Sequence, residues 1–194
     1  MTCTPQFSVV IPTRNRPELF KLALNSVLAQ HFDAFEVVVV NDGSTPDFLD
    51  RYRELEAASP AHVSWHYLVH RPNGRGQSYS MNYGVAQSRG SFVCFLDDDD
   101  YWTDPRHLRR ASDTIRGSDR LVDLYLTNQQ DYFPDGSRQT EPVWIETVPE
   151  VADLPAPTRP AATGSGQPPG QCRGAAQVQG FRASQLQHLP QGTV

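Results

Sequence analysis

Seven residues, Phe35-Glu36-Val37-Val38-Val39-Val40-Asn41, constrain this chain more than any other stretch. Four consecutive β-branched side chains favour extended backbone, and a strand that is apolar on both faces needs both faces of its sheet covered. Parallel α/β sheets meet that condition. Upstream, Phe7-Ser8-Val9-Val10-Ile11-Pro12 reads as another buried strand, ended by a proline that cannot donate to a ladder. Between the two, Pro17 is a favoured first helical residue and Glu18 complements the helix dipole. Leu19, Phe20, Ala23, Leu24, Val27 and Leu28 then recur at helical spacing to about Gln30. Strand, helix and strand in that order make a right-handed parallel unit.

The alternation continues. Asp42-Gly43-Ser44-Thr45-Pro46 closes the second strand, and Phe48, Leu49, Tyr52 and Leu55 mark a second helix. Residues 63–69 are β-rich and alternating. A cationic loop, residues 70–76, opens a helix carrying Tyr79, Met81, Asn82, Val85 and Ala86, which Arg89-Gly90 ends. Ser91-Phe92-Val93-Cys94-Phe95-Leu96 is a fourth strand. Leu108, Ala111 and Ile115 predict a further helix, residues 121–127 a further strand, and residues 132–138 a hairpin turned by Pro-Asp-Gly. The fold class is therefore α/β, a Rossmann-like open, mostly parallel sheet flanked by helices. In such sheets ligands bind beyond the C-terminal ends of the strands.

On that edge the sequence places Asp97-Asp98-Asp99-Asp100, directly after the fourth strand. Adjacent carboxylates repel and raise one another's pKa unless a cation neutralises them, so the run reads as a site for a divalent metal. Oxygen ligands suit Mg2+ or Mn2+, completed by phosphate oxygens and water. A solvated acidic turn that caps the next helix is the alternative reading. Arg14, Arg16, Arg71 and Arg75 offer planar forks for phosphate oxygens, and Asp42, alone at a strand end, can accept from a base N–H or from ribose hydroxyls. There is no Gly-x-x-x-x-Gly-Lys loop and no Gly-x-Gly-x-x-Gly after the first strand, which argues against a P-loop NTPase and a dinucleotide oxidoreductase. Lys21, the sole lysine, falls in a helix. His66 and His70 are assigned no role, and Trp102 either stacks on a sugar ring or packs.

At 194 residues the chain suits one domain, and a net charge of -5 argues against nucleic acid as a partner. No apolar stretch is long enough to span a bilayer, and Met1-Thr2-Cys3-Thr4-Pro5-Gln6 lacks the marks of a secretion signal, so the expected location is cytoplasmic. Cys3, Cys94 and Cys172 fit neither a disulfide framework nor a zinc site. The ordered domain is expected over residues 5–148. Residues 149–194 are rich in Pro, Gly, Gln and Ala without apolar periodicity, and such a tail is expected to be disordered.

Three ordered blocks resemble the inverting GT-A glycosyltransferases of family 2: residues 9–16, residues 38–44, and residues 90–100 ending in the four aspartates. A fourth, Asn73-Gly74-Arg75-Gly76 through Asn82-Tyr83-Gly84, is similar to the family's Asn-x-Gly segment. The likeness covers residues 7–135. It implies a GT-A fold, Mn2+ or Mg2+, a nucleotide-diphospho-sugar donor and transfer to a sugar, lipid or protein acceptor with inversion. Pro12, Thr13 and Arg14 would line the nucleotide pocket together with Arg16, Arg75 and Asp98. Asp42 would bond the base, Asp97 would face ribose or metal, and Asp99 would bind the metal. Two departures stand out. Met81 occupies a position where the family often has arginine, and the region that should carry the general base is the Pro/Gly/Gln tail. The resemblance thus favours a truncated or frame-shifted product with little transfer activity over a native tail. A metal-dependent phosphohydrolase or nucleotidyltransferase, and a non-catalytic nucleotide-sugar-binding module, are the alternatives.

Overall fold

The computed structural model of the chain describes residues 4–127, 137 and 180–182. A six-stranded sheet in the order β3-β2-β1-β4-β6-β5 carries the molecule, where β1 is Phe7–Thr13, β2 Phe35–Asn41, β3 Val63–Tyr67, β4 Phe92–Phe95, β5 Leu124–Tyr125 and β6 Gly180–Arg182. The first four strands are parallel, while β6 pairs antiparallel with both β4 and β5. Every residue of β1 and β2 is buried. The valine run ends as expected at Asn41, but Pro12 does not end β1, which runs on to Thr13. The proline is tolerated because β1 pairs with β4 only from Phe7 to Val10, so its missing N–H falls where those two strands have parted.

Side-chain alternation sorts the sheet into two apolar layers. Val9, Ile11, Val37 and Val39 face Phe20, Ala23, Leu24 and Val27 of helix α1 (Pro17–Leu28), Tyr52 of α2 (Pro46–Ala57) and Leu108 of α4 (His107–Arg116). Val10, Val38, Val40 and Val93 face Tyr83 and Val85 of α3 (Gln77–Gln87). Helices on both faces make the sheet a three-layer α/β/α structure. Its α3 comes so close that a Cβ on Gly84 would lie 2.3 Å from Val10 Cγ1, so only glycine allows that contact. Cys94 is a buried free thiol, as expected of a core residue.

Four elements are shorter than the sequence suggests; β3 stops at Tyr67 rather than residue 69, and β4 keeps only Phe92–Phe95 of residues 91–96. The first helix stops at Leu28, because Gln30 turns away to donate to Asp104 O at 2.9 Å and to accept the Leu108 N–H at 3.0 Å, which ties α1 to the start of α4. The predicted strand over residues 121–127 is only Leu124–Tyr125, paired with β6. The hairpin over residues 132–138 lies outside the described residues apart from residue 137. Of the segment over residues 149–194, Gly180–Arg182 is described and forms a strand, whereas the expectation of disorder falls on residues outside the described set. Among the described residues no helix is long and apolar enough to cross a membrane.

The strand order fixes where a ligand can enter. The chain steps from β1 to β2 to β3 in one direction, then returns past β1 to place β4 on its other side. The strand ends part at that reversal and leave a crevice beyond the C-termini of β1 and β4.

Candidate functional site

A hollow of about 310 Å³ occupies that crevice. Its walls bring together Pro12, Thr13, Arg14 and Arg16 from the end of β1, Asp42 from the end of β2, and Asp97, Asp98 and Asp99 from the turn after β4. These positions, 85 residues apart at the extremes of the Thr13–Asp98 contact, were expected to share one edge, and the sheet does place them together. Arg75 is different. Its backbone N–H points at Asp42, while its guanidinium carbon stacks over the Tyr79 ring at 5.0 Å, and it is absent from the lining. Residues not singled out as site candidates complete the wall: Asn73, Gly76, Gln77 and Ser80.

At the β2 end, the Asp42 carboxylate is buried. Its Oδ2 accepts the backbone N–H of Arg75 at 2.7 Å and of Gly76 at 2.9 Å, which folds the cationic loop over the strand end. Gly74 makes the approach possible: it holds φ 69°, and a Cβ there would lie 2.5 Å from Asp42 Oδ2. Asp42 Oδ1 is buried without a partner. A carboxylate oxygen can only accept, so it is complete only when a ligand or water donates to it. Arg14 Nη2 fastens the same loop, donating to Arg71 O at 2.8 Å and Pro72 O at 2.9 Å, while Arg14 Nε is buried without a partner.

At the β4 end, Asp100 N–H bonds to Asp97 O at 3.1 Å, and this tight turn sends successive aspartates in different directions. Asp98 is buried, and both its oxygens are held by the chain itself: Oδ2 by the Thr13 hydroxyl at 2.7 Å, Oδ1 by Arg16 Nη2. Burial raises its pKa, opposed by the Thr13 hydroxyl and the Arg16 charge. Asp98 therefore serves as an anchor more than as an open ligand. Arg16 spans it to the half-exposed Asp99, whose Oδ2 accepts from Nη1 at 2.8 Å. Asp97 takes the Gln77 amide on Oδ1 at 2.6 Å. Its pKa is raised by desolvation first and by the Asp99 charge, against the pull of Gln77 and Arg16.

A buried tyrosine sets this end in place. Thr13 commits its one hydroxyl proton to Asp98, so the 2.7 Å contact between Thr13 Oγ1 and Tyr52 OH has tyrosine as donor. Tyr52 in turn accepts the Arg16 backbone N–H at 3.0 Å. The order Arg16, Tyr52, Thr13, Asp98 is thus a one-way chain. Tyr52→Phe is expected to cost about 1–2 kcal/mol in denaturant unfolding, since it orphans the Arg16 backbone N–H and removes the hydrogen bond donated to Thr13 Oγ1, whose own bond to Asp98 remains. A midpoint equal to wild type would show the chain to be dispensable.

Among the described residues, no three His, Cys, Asp or Glu side chains are grouped to hold an ion. The hollow nevertheless fits a hard divalent cation shared with a ligand. Asp97 and Asp99 each use one oxygen in the bonds above, and cations of the Mg2+ type take one or two carboxylates plus substrate phosphates and water. Charge points the same way: four lining aspartates against two lining arginines leave the hollow net negative, so an anionic diphosphate would need a cation to enter.

Comparison with known proteins points to one family. The family model for Glycosyl transferase family 2 matches residues 8–158. An uncharacterized glycosyltransferase of Nostoc sp. is 34% identical over 114 residues, covering 59% of this chain and 34% of the relative. The structure of Staphylococcus aureus TarS 1-349 in complex with UDP-GlcNAc superposes with a TM-score of 0.56 at 30% identity, over 70% of this chain and 37% of that one. The mannosyltransferase PcManGT from Pyrobaculum calidifontis, in complex with GDP-Man and Mn2+, gives 0.54 at 25% identity, over 63% and 35%. The chain spans about a third of the length of the curated relatives it matches.

Proposed function

This chain belongs to glycosyl transferase family 2, and from that premise we propose that its hollow binds a nucleotide-diphospho-sugar donor together with Mn2+ or Mg2+, for inverting transfer to an acceptor hydroxyl. The observation that carries this reading is the buried, unpartnered Asp42 Oδ1 across one hollow from Asp97 and Asp99. An acceptor for a base N–H stands at one end and carboxylates for a cation at the other, in the order nucleoside then diphosphate. Solved neighbours hold UDP-GlcNAc and, with Mn2+, GDP-Man in the same fold.

In this assignment Asp42 holds the base, Pro12 and Thr13 line the nucleoside, and Asp97 faces ribose or metal. Asp99 is the metal carboxylate, with Arg14 and Arg16 on the phosphate side. The bound cation would act as Lewis acid on the departing diphosphate. Arg16 has a further task, holding Asp99 in place from its anchor on Asp98. The lining aspartates all have donor-side or anchoring roles, so deprotonation of the acceptor falls to a group outside the hollow. Turnover by this polypeptide alone is expected to be weak or nil.

Isothermal titration with UDP, GDP and dTDP sugars, with and without Mn2+, tests the reading. One donor should bind, and omission of Mn2+ or Asp99→Ala should each weaken it about tenfold or more. Binding of none, or binding indifferent to both changes, would sink it. A phosphohydrolase would instead release phosphate without a sugar acceptor, and the family match argues against one.

A further inference from the structure

The first turn of α3 carries a hydroxyl that the fold leaves without work. Ser80 is 1% exposed and lines the hollow, yet its Oγ has no hydrogen-bond partner. Helical serines in such positions usually return the hydroxyl to a carbonyl of the preceding turn. In this chain Ser26 within α1 does so to Ala23 O at 2.7 Å, and Ser59 and Ser88, just past the ends of α2 and α3, do so to Leu55 O at 2.7 Å and Gly84 O at 2.9 Å. Ser80 sends only its backbone N–H to Gly76 O, at 3.1 Å.

Its height on the sheet follows from Gly84, one turn further along α3. An added Cβ at Gly84 would meet Val10 and Val40. One helical turn is about 5.4 Å and two strand residues about 6.6 Å, so Ser80 lies level with Pro12 and Asp42. Those residues share with Val10 and Val40 the sheet face that α3 covers, because side chains alternate. Of the three buried polar atoms that line the hollow without a partner, Arg14 Nε can donate, and the other two stand on the wall that α3 covers: Asp42 Oδ1, which only accepts, and Ser80 Oγ, which can donate. A ligand edge with a ring N–H beside a carbonyl satisfies both.

We propose that Ser80 is a base-binding residue, its hydroxyl donating to the carbonyl that adjoins the N–H accepted by Asp42, as uracil, thymine or guanine would present. This rests on the donor-binding reading above and adds to it the residue that reads the base. Because the hydroxyl has no partner in the unliganded fold, its removal should cost binding but not stability.

The test is titration of wild type and Ser80→Ala with UDP, GDP and dTDP and with the monophosphate of the base that binds best, alongside thermal unfolding without ligand. Ser80→Ala should weaken the best-bound nucleotide about five- to tenfold, equally for diphosphate and monophosphate, with Tm unchanged or raised. Unchanged affinity in the variant, a loss confined to the diphosphate, or a Tm lowered by several degrees overturns the assignment while leaving donor binding intact. Failure of wild type to bind any of the nucleotides overturns the donor reading and this assignment with it.

Discussion

Glu36→Ala is expected to destabilise the protein by about 3 kcal/mol and to leave nucleotide affinity of the folded molecules unchanged. Glu36 is a 4% exposed carboxylate inside β2. It accepts the Ser8 hydroxyl at 2.7 Å, the Arg89 backbone N–H at 2.7 Å, and Arg89 Nε and Nη2 at 2.8 and 2.6 Å. Ser8 Oγ in turn accepts the Gly90 N–H at 2.8 Å. The network fastens the turn between α3 and β4 across the bottom of β1 and β2, so that β4, and the aspartates behind it, enter in register. Truncation orphans the Ser8 hydroxyl and the Arg89 N–H, and losing one partner of a buried charged pair typically costs about 3–5 kcal/mol. The lower figure applies because the Arg89 side chain is 72% exposed and can return to water. Glu36 lies six residues from Asp42 along an extended strand, about 20 Å away, which isolates it from the hollow. Guanidinium unfolding of Glu36→Ala beside Asp99→Ala separates the two kinds of carboxylate: the first should lose stability alone, the second binding alone. A midpoint for Glu36→Ala within error of wild type would refute the account.

How much of this was legible beforehand depended on whether a feature is local. The β2 boundaries follow from four valines, and the gathering of residues 12–16, Asp42 and the acidic run follows from the rule for strand ends in open α/β sheets. What the sequence could not show was direction within a turn. Asp97, Asp98 and Asp99 are chemically identical, and only the folded turn makes Asp98 the buried anchor of Arg16 while its neighbours stay more open to solvent. Arg75 went astray for a similar reason: its backbone, not its guanidinium, is the part that serves Asp42. Gln77 and Ser80 left one faint signal, two polar residues three apart on a helix face whose later positions pack on valines. The pairing of Gly180–Arg182 with β4 joins residues some ninety positions apart in a low-periodicity segment, which no local pattern could foretell.

The tight turn of the acidic run also clarifies the place of Arg16. Removing Asp98 as an open ligand leaves Asp97 and Asp99 on either side of a guanidinium-held frame, and the Tyr52 chain fixes that frame from the opposite face of the sheet. The helix layer formed by α1 and α2 thus reaches the hollow through Tyr52, although neither helix lines its acidic end.

Acid should weaken the fold well above the pH at which ordinary carboxylates titrate, because of His107. Its ring is 8% exposed, 4.6 Å from the Trp102 ring by centroid, and Nε2 has no partner. Burial lowers its pKa from 6.5 to about 4; Asp104 pulls it up and Arg110 pushes it further down. The unfolded chain therefore takes a proton near pH 6.5 that the folded protein refuses until about pH 4. Between those values the unfolded state binds more protons, so stability falls as pH falls. The difference corresponds to about 3 kcal/mol, fully present above pH 6.5 and lost by pH 4. Asp97 and Asp98, with raised pKa, work in the opposite sense as they protonate, and Asp104, with a lowered pKa, contributes its loss only below the usual carboxylate range. His107→Phe keeps the aromatic contact and removes the proton site. Urea unfolding from pH 7 to pH 4 should show a steep decline for wild type and a shallower one for the variant, which keeps His66, its pKa also lowered by burial, and parallel declines in the two would mean that His107 does not govern the acid limb.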